Sequence, residues 1–397
     1  MKQNKKTELL APAGDFECLM AAINAGADAV YFGLKEFSMR ARARNFKITD
    51  LPKIARLCKL KKIKKYLTLN TIIYNHELGK VEKIIKKAKP YVDAVICSDI
   101  SAMLLCRKYK IPFHVSTQMS VSNIEAAKFF RKLGAERVIL ARELNLKQIK
   151  KIAEEMPVEI FIHGAMCVSI SGRCFTSQFL FNKSANRGEC IHPCRRAYFV
   201  KDNEGNELKI DNHYIFSAKD LCTLPFIEKL KKLNVKAFKI EGRGKEPEYV
   251  DAVVRVYRRA IDKKLSKKEI EQGLEELKKV YNKGFSSGFY LGLPTSDDFS
   301  KQENSSGKES KEFIGKIQHY YPNVGAAWLK LNTGKLETED EILIIGKTTG
   351  VIRHKIESME IKHKKVKEAK KGQDVGVKLP FCRKGDEVYK VVKKSNP

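Results

Sequence analysis

Eight short apolar segments, most followed by a small or polar residue and then a helical pattern, constrain this chain more than any other feature. They are Glu8–Leu10, Ala29–Phe32, Tyr66–Asn70, Ala94–Cys97, Phe113–Ser116, Arg137–Leu140, Glu159–Ile162 and Ala237–Ile240. Strands apolar on both faces belong in a sheet covered on both sides, so helices must return over it between strands. The helical patterns Phe16–Ala25, Leu78–Ala88, Asn123–Leu133 and Leu146–Glu155 supply such returns. Eight units of this kind predict an α/β protein whose strands close into a (β/α)8, TIM-like barrel. GADAVYFG and GAERVILA read as one helix-to-strand device used twice.

A parallel barrel carries its chemistry at the C-terminal ends of its strands. Those ends hold Asn70, Asp99, Thr117 with Gln118, Arg142 with Glu143, His163, and Glu241 with Arg243. Gln118, Arg142, His163, Glu241 and Arg243 are the candidate catalytic residues. They combine a carboxylate and an imidazole for proton transfer with guanidinium and amide donors for orienting a polar group.

After the apolar run Val158–Ile162 the chain turns rich in Gly, Ser and Asn and carries Cys167, Cys174, Cys190 and Cys194, with Cys222 further on in SAKDLC. Clustered thiolates suit a soft metal, an iron–sulfur cluster or disulfide chemistry. The CIHPC pair has the close spacing of many zinc and iron–sulfur sites, but spacing does not separate the two. Gly164, Gly172 and Gly188 would let the backbone turn around a bulky centre, and Arg173, Arg187, Arg195 and Arg196 would face an anionic one. Cys167 with His163 is the alternative, a nucleophile–base pair. HExxH does not occur.

Ala197–Ser217 reads as a β-hairpin excursion before the last barrel strand, and Asp251–Lys263 and Lys267–Tyr281 as helices. Residues 1–293 form the expected barrel domain and residues 294–312, poor in apolar side chains, a polar linker. From Phe313 short strands and tight turns predict a small C-terminal antiparallel β-barrel over residues 313–397. Its stretch His363–Gln373 gives it a basic edge.

With 77 Lys and Arg against 47 Asp and Glu, the formal net charge is +30, spread along the whole chain. Such a surface invites nucleic acid or another polyanion. Arg40, Arg42 and Arg44, after the second strand, are candidate contacts to RNA or an acidic cofactor. The first residues are too short of apolar side chains for a secretory segment, and no run is long enough to span a bilayer. A cytoplasmic location is the expectation, where several cysteines point to ligands or buried thiols.

The stretch from Glu159 through Phe161, Gly164, Ala165, Met166, Cys167, Gly172, Cys174 and Ser177 resembles the signature of the U32 peptidases, also called collagenase-like proteases. SANRGEC-xx-PCR at Ser184–Arg195 is similar to its continuation. LLAPAGD, YFG at Tyr31–Gly33, STQ at Ser116–Gln118 and SxKDLC at Ser217–Cys222 are also family-like. The likeness spans about residues 8–290, and the tail resembles the family's C-terminal β-barrel module. Length, tail and charge favour its tRNA-hydroxylation branch. That resemblance implies 5-hydroxyuridine formation at wobble uridine 34 of tRNA. It implies a [4Fe–4S] cluster held by Cys167, Cys174, Cys190 and Cys222, with Cys194 as substitute. It further implies prephenate, or a derivative, as a small carboxylate co-substrate held with Gln118, Arg142, Glu241 and Arg243, the tRNA anticodon loop as partner, and a homologous partner subunit. The alternatives are the family's peptidase activity and a non-catalytic RNA-binding protein with a structural metal.

Overall fold

The structure, a computed structural model, describes residues 7–170, 172–196, 201–206, 216–301 and 305–394. In chain order the first strands are β1 (Glu8–Ala13), β2 (Ala29–Gly33), β3 (Lys64–Leu69), β4 (Ala94–Cys97) and β5 (Phe113–Val115). Then come β6 (Arg137–Ile139), β7 (Val158–Gly164), β8 (Asp220–Cys222), β9 (Ala237–Ile240) and β10 (Phe285–Ser286). The helices are α1 (Phe16–Asn24), α2 (Leu51–Lys59), α3 (Leu78–Ala88), α4 (Ile100–Lys108) and α5 (Ile124–Lys132). They continue as α6 (Leu146–Glu155), α7 (Thr176–Phe181), α8 (Ile227–Lys231), α9 (Pro247–Asp262) and α10 (Lys267–Lys279).

Strands β1 to β7 pair in sequence, all parallel, and β9 closes the ring by pairing with both β7 and β1. This is the eight-stranded parallel barrel expected from the repeat, and every expected strand segment takes part. The short β8 lies outside the ring, antiparallel to the end of β7, and β10 is added to it. The expected hairpin Ala197–Ser217 falls largely on residues 197–200 and 207–215, outside the described residues.

Local chemistry starts several helices at the strand ends. Asp15 accepts from the Cys18 amide, Asn123 from Ala126, and Asn145 from Gln148, whose side chain returns a bond. Asp99 does the same for α4, so this strand-end residue is a helix cap.

Inside the barrel, toward the N-terminal strand ends, lies a buried polar layer. Arg137 Nη1 donates to Glu8 at 2.8 Å and to Glu159 at 3.0 Å, and Lys239 Nζ reaches Glu159 at 2.8 Å. The Tyr66 hydroxyl donates to Glu8 at 3.0 Å, and its ring lies 4.7 Å from that of His114.

The C-terminal residues form β11 (Glu309–Tyr321), β12 (Ala326–Leu331), β13 (Lys335–Glu337), β14 (Glu341–Gly346) and β15 (Gly350–Lys355). They end with β16 (Met359–Ile361), β17 (Lys364–Val366), β18 (Glu368–Lys370), β19 (Asp374–Lys378) and β20 (Glu387–Lys393). The expected small barrel is not formed. Eight of these strands make one sheet in the order β15-β14-β20-β11-β12-β19-β16-β17, its two outer strands unpaired with each other, and β13 and β18 make a separate ribbon. The outer strand β15 is covered instead by the large barrel. Asn24 at the end of α1 donates to the Thr349 carbonyl at 3.0 Å, and Leu343, Ile345 and Val351 join the barrel's own apolar cluster. A strand edge covered by helices needs no closure.

Candidate functional site

At the C-terminal end of the barrel a cavity of about 60 Å³ is lined by Arg40, Asn70, Gln118, Arg142, Lys239, Glu241 and Arg243, among others. Four of the five expected catalytic residues therefore share one wall system, although they come from β5, β6 and β9. Each occupies the turn immediately after its strand, where a parallel barrel presents side chains to one face.

Glu241 is the carboxylate of this wall and pairs with Arg40 Nη2 at 2.9 Å. Burial alone would raise its pKa, but Arg40, Lys245 and Arg142 outweigh that and hold it below the usual range. Arg243 is 5% exposed and donates to Ser38 at 2.5 Å and Thr68 at 2.8 Å. Burial pulls its guanidinium down to about 10. The Gln118 amide nitrogen donates to the Asn70 carbonyl at 2.6 Å, and its oxygen accepts from Asn70 at 3.2 Å and from Ser116. Gln118 is thereby fixed in one orientation.

Arg142 is different. One nitrogen donates to the Ala165 carbonyl at 2.8 Å, while Nε and Nη2 are buried without a partner. A guanidinium with unused buried donors is costly unless something arrives to accept from them. Arg142 also lines a neighbouring cleft of about 330 Å³, with Thr117, Met166, Cys167, Ile170 and Phe289. It stands at the junction of the open cleft and the inner cavity.

His163 is not among the residues lining this cavity. It is 1% exposed, packed among the rings of Tyr249, Tyr257 and Phe285, with Nδ1 3.4 Å from the Tyr257 hydroxyl. Burial, with Lys245 adding to it, lowers its pKa to about 3, so the ring is neutral.

The expected four-thiolate centre is not assembled. Among the described residues no group of three or more His, Cys, Asp or Glu side chains stands where it could hold a metal ion. Cys222 is fixed on β8 opposite His163, and its sulfur accepts from Tyr257 at 3.7 Å. Cys174 bonds to Thr176 at 3.2 Å and Cys190 accepts from the His192 amide at 3.4 Å, while Cys167 is exposed. Cys194 is raised to about 11, by burial first and further by Cys167, Cys190 and Cys174 nearby, with Cys222 not among its neighbours in that effect. These donors do not fit a [4Fe–4S] cluster, and the expectation is corrected on that ground.

The loop's glycines and arginines have another use. Gly164, at φ 110°, lets the end of β7 approach β9 so closely that a Cβ would lie 2.6 Å from the Glu241 carbonyl. Arg187 grips Glu77, Arg173 donates to the Gln118 carbonyl at 2.9 Å, and Arg195 to that of Ala218 at 2.6 Å. These arginines staple the cysteine loop over the barrel mouth instead of facing an anionic centre. Arg40 pairs with Glu241 and Arg44 with Asp15. Lys239 was missed as a wall residue. The alternation in AFKI, which turns it inward, was the available signal.

Among the described residues no helix is long and apolar enough to cross a membrane. The model of peptidase family U32 matches residues 14–300. A collagenase of Porphyromonas gingivalis is 40% identical over 98% of this chain and 98% of its own length. An uncharacterized protease of Methanocaldococcus jannaschii is 43% identical over 96% of this chain and 97% of its own. tRNA hydroxylation protein P1 of Bacillus subtilis is 33% identical over 89% and 87%. The higher identities thus lie with collagenase and protease relatives, which corrects the expected tRNA-hydroxylation branch. Without that branch and without a cluster site, the wobble-uridine hydroxylase reading loses its support. The chain belongs to peptidase family U32.

Proposed function

We propose that the chain hydrolyses peptide bonds at the barrel mouth, on proteins of the collagenase-substrate type or other polypeptides. The observation that carries the reading is Arg142, whose two unpartnered nitrogens sit on the same cavity wall as the ionised Glu241. The outer cleft, with Val168 and Ile170 each more than two-fifths exposed, accepts an extended chain, and the inner cavity admits one small polar group. In this reading the reacting carbonyl oxygen accepts from Arg142, and Glu241 takes a proton from the attacking water. The water oxygen bonds to the carbonyl carbon, the C–N bond breaks, and the proton passes from Glu241 to the departing amine. Gln118, Arg243 and Arg40 orient the substrate. Their surplus positive charge suits a substrate carboxylate, the form in which a small carboxylate partner remains in the proposal. The ten cysteines are all unpaired thiols, which suits a reducing compartment such as the cytoplasm.

The test is to incubate gelatin and casein with the purified full chain and with Glu241→Gln, and to count new N-termini by mass spectrometry. New termini from the wild type, cut at least about 100-fold by the substitution, are expected for loss of a general base. Equal yields from the two proteins, or none from either, would overturn the proposal.

A further inference from the structure

The inner cavity holds more positive charge than the chain neutralises. Arg40, Arg142, Lys239 and Arg243 line it, with Glu241 the one acid on its wall among the described residues. Arg40 is engaged by Glu241 and Lys239 by Glu159. Arg243 is engaged by no acid. Its Nη1 donates to the hydroxyls of Ser38 and Thr68, which carry no charge. Among the described residues no hydrogen bond uses its Nε or Nη2, and no carboxylate lies within 4.0 Å. Arg142 meets only the Ala165 carbonyl. Two buried guanidiniums without an acid are costly unless negative charge arrives to complete them, and their planar forks match a carboxylate.

Depth separates the two arginines. Arg142 borders both the outer cleft and the inner cavity, whereas Arg243 borders the inner cavity and not the cleft. At about 60 Å³ the cavity has room for a carboxylate and little more. Below it the barrel is filled by the buried pair of Lys239 and Glu159. A chain that enters from the cleft therefore ends here. The cleft itself, with Met166, Val168, Ile170 and Phe289, is apolar enough for a polypeptide and offers little to a free inorganic anion. A carbonyl held on Arg142 is followed, one residue and about 3.8 Å of backbone later, by the group that enters the inner cavity.

We infer that Arg243 binds the terminal carboxylate of the substrate chain, so that hydrolysis removes residues one at a time from the C-terminus. The inference rests on the peptide hydrolysis proposed above and narrows its substrate to free chain ends. The bond chemistry is the same. The water oxygen bonds to the carbonyl carbon of the last peptide bond, and its proton goes to Glu241. The C–N bond breaks, and that proton passes to the departing amine, which belongs to a free amino acid. Arg243 is then the residue that sets specificity, because a chain in mid-course or an amidated end brings it no charge.

The experiment gives the full chain two peptides of one sequence, one ending in a carboxylate and the other in an amide, and identifies the products by mass spectrometry. The same pair is titrated calorimetrically into Glu241→Gln, so that binding is read without turnover. The free acid should lose its last residue about 100-fold faster in kcat/KM and bind about 100-fold tighter, the effect of a buried charge left unpaired. Arg243→Met should bring both ratios near one, chiefly through KM. The acid–amide comparison needs no change at Arg243, so it decides the matter where that substitution unfolds the chain. Equal affinities, cleavage inside both peptides at equal rates, or displacement of the acid by equimolar acetate or inorganic phosphate would overturn the inference. Tighter binding of the acid with neither peptide cut would uphold Arg243 as the carboxylate site and overturn only the hydrolysis.

Discussion

The barrel interior holds two charged layers that differ in one respect. In the lower layer Glu8 and Glu159 face Arg137, Lys239 and Lys64, and Arg137 too keeps Nε and Nη2 buried without a partner, its guanidinium carbon 5.5 Å from the centre of the Tyr66 ring. In the upper layer Glu241 faces Arg40, Arg142 and Arg243, and the unused donors of Arg142 line a cavity. Charge paired across β1, β3, β6, β7 and β9 ties strands far apart in the chain. Unbalanced charge beside an opening is a place for a ligand. Buried charges in both layers cost desolvation, and each arginine leaves two donors unused; the upper one also borders an open cleft.

The sharpest way to break this distinction is Glu159→Ala. It leaves Arg137 and Lys239 buried without their shared partner and should cost about 3–5 kcal/mol in urea unfolding. A loss below about 1 kcal/mol would mean that the lower layer is no structural device. Arg142→Met should do the reverse. Hydrolysis should fall about 10²–10³-fold in kcat, as for a lost oxyanion donor. Stability should stay within about 1 kcal/mol, because two of the deleted donors have no partner to lose. A protein that unfolds while keeping its turnover would exchange the roles of the two layers.

The smallest effect is one of pH. Burial, reinforced by Arg137, holds His114 well below its ordinary 6.5, and both ring nitrogens lack partners. Folded His114 is neutral, whereas unfolded His114 takes up a proton as pH drops through 6.5. The unfolded state then binds more protons, so stability falls with pH by at most about 1.4 kcal/mol per unit from this group. His114→Leu should flatten urea-midpoint stability between pH 7 and 5.5. An unchanged slope would place the titration elsewhere.

Much of the barrel is legible in the sequence because its signals are local. Each strand segment is apolar in its own right, and Asp15, Asn123 and Asn145 mark helix starts. Gln118, Arg142, Glu241 and Arg243 come together because any residue just after a parallel strand faces the same end. Arg40 was visible as a basic loop residue, but its pairing with Glu241 spans two hundred positions and leaves no local trace. Arg243 was visible as a strand-end residue, but its contact with hydroxyls in place of an acid depends on Ser38 and Thr68, far back in the chain.

The cysteine loop and the C-terminal strands mark the limit. Close spacing of thiols in sequence suggested one centre, yet ligand convergence is a matter of side-chain direction, and β8 fixes Cys222 opposite His163. Short strands and turns suggested a closed small barrel, yet closure depends on whether the outer strands meet, and α1 covers β15 first. The sequence by itself determined the eight-fold strand–helix alternation, and with it which residues reach the mouth, because periodicity and capping act within a few residues. Only the tertiary structure decided which charges are neutralised, which donors stay unused and which buried arginine meets no acid, because those depend on contacts between segments far apart in the chain.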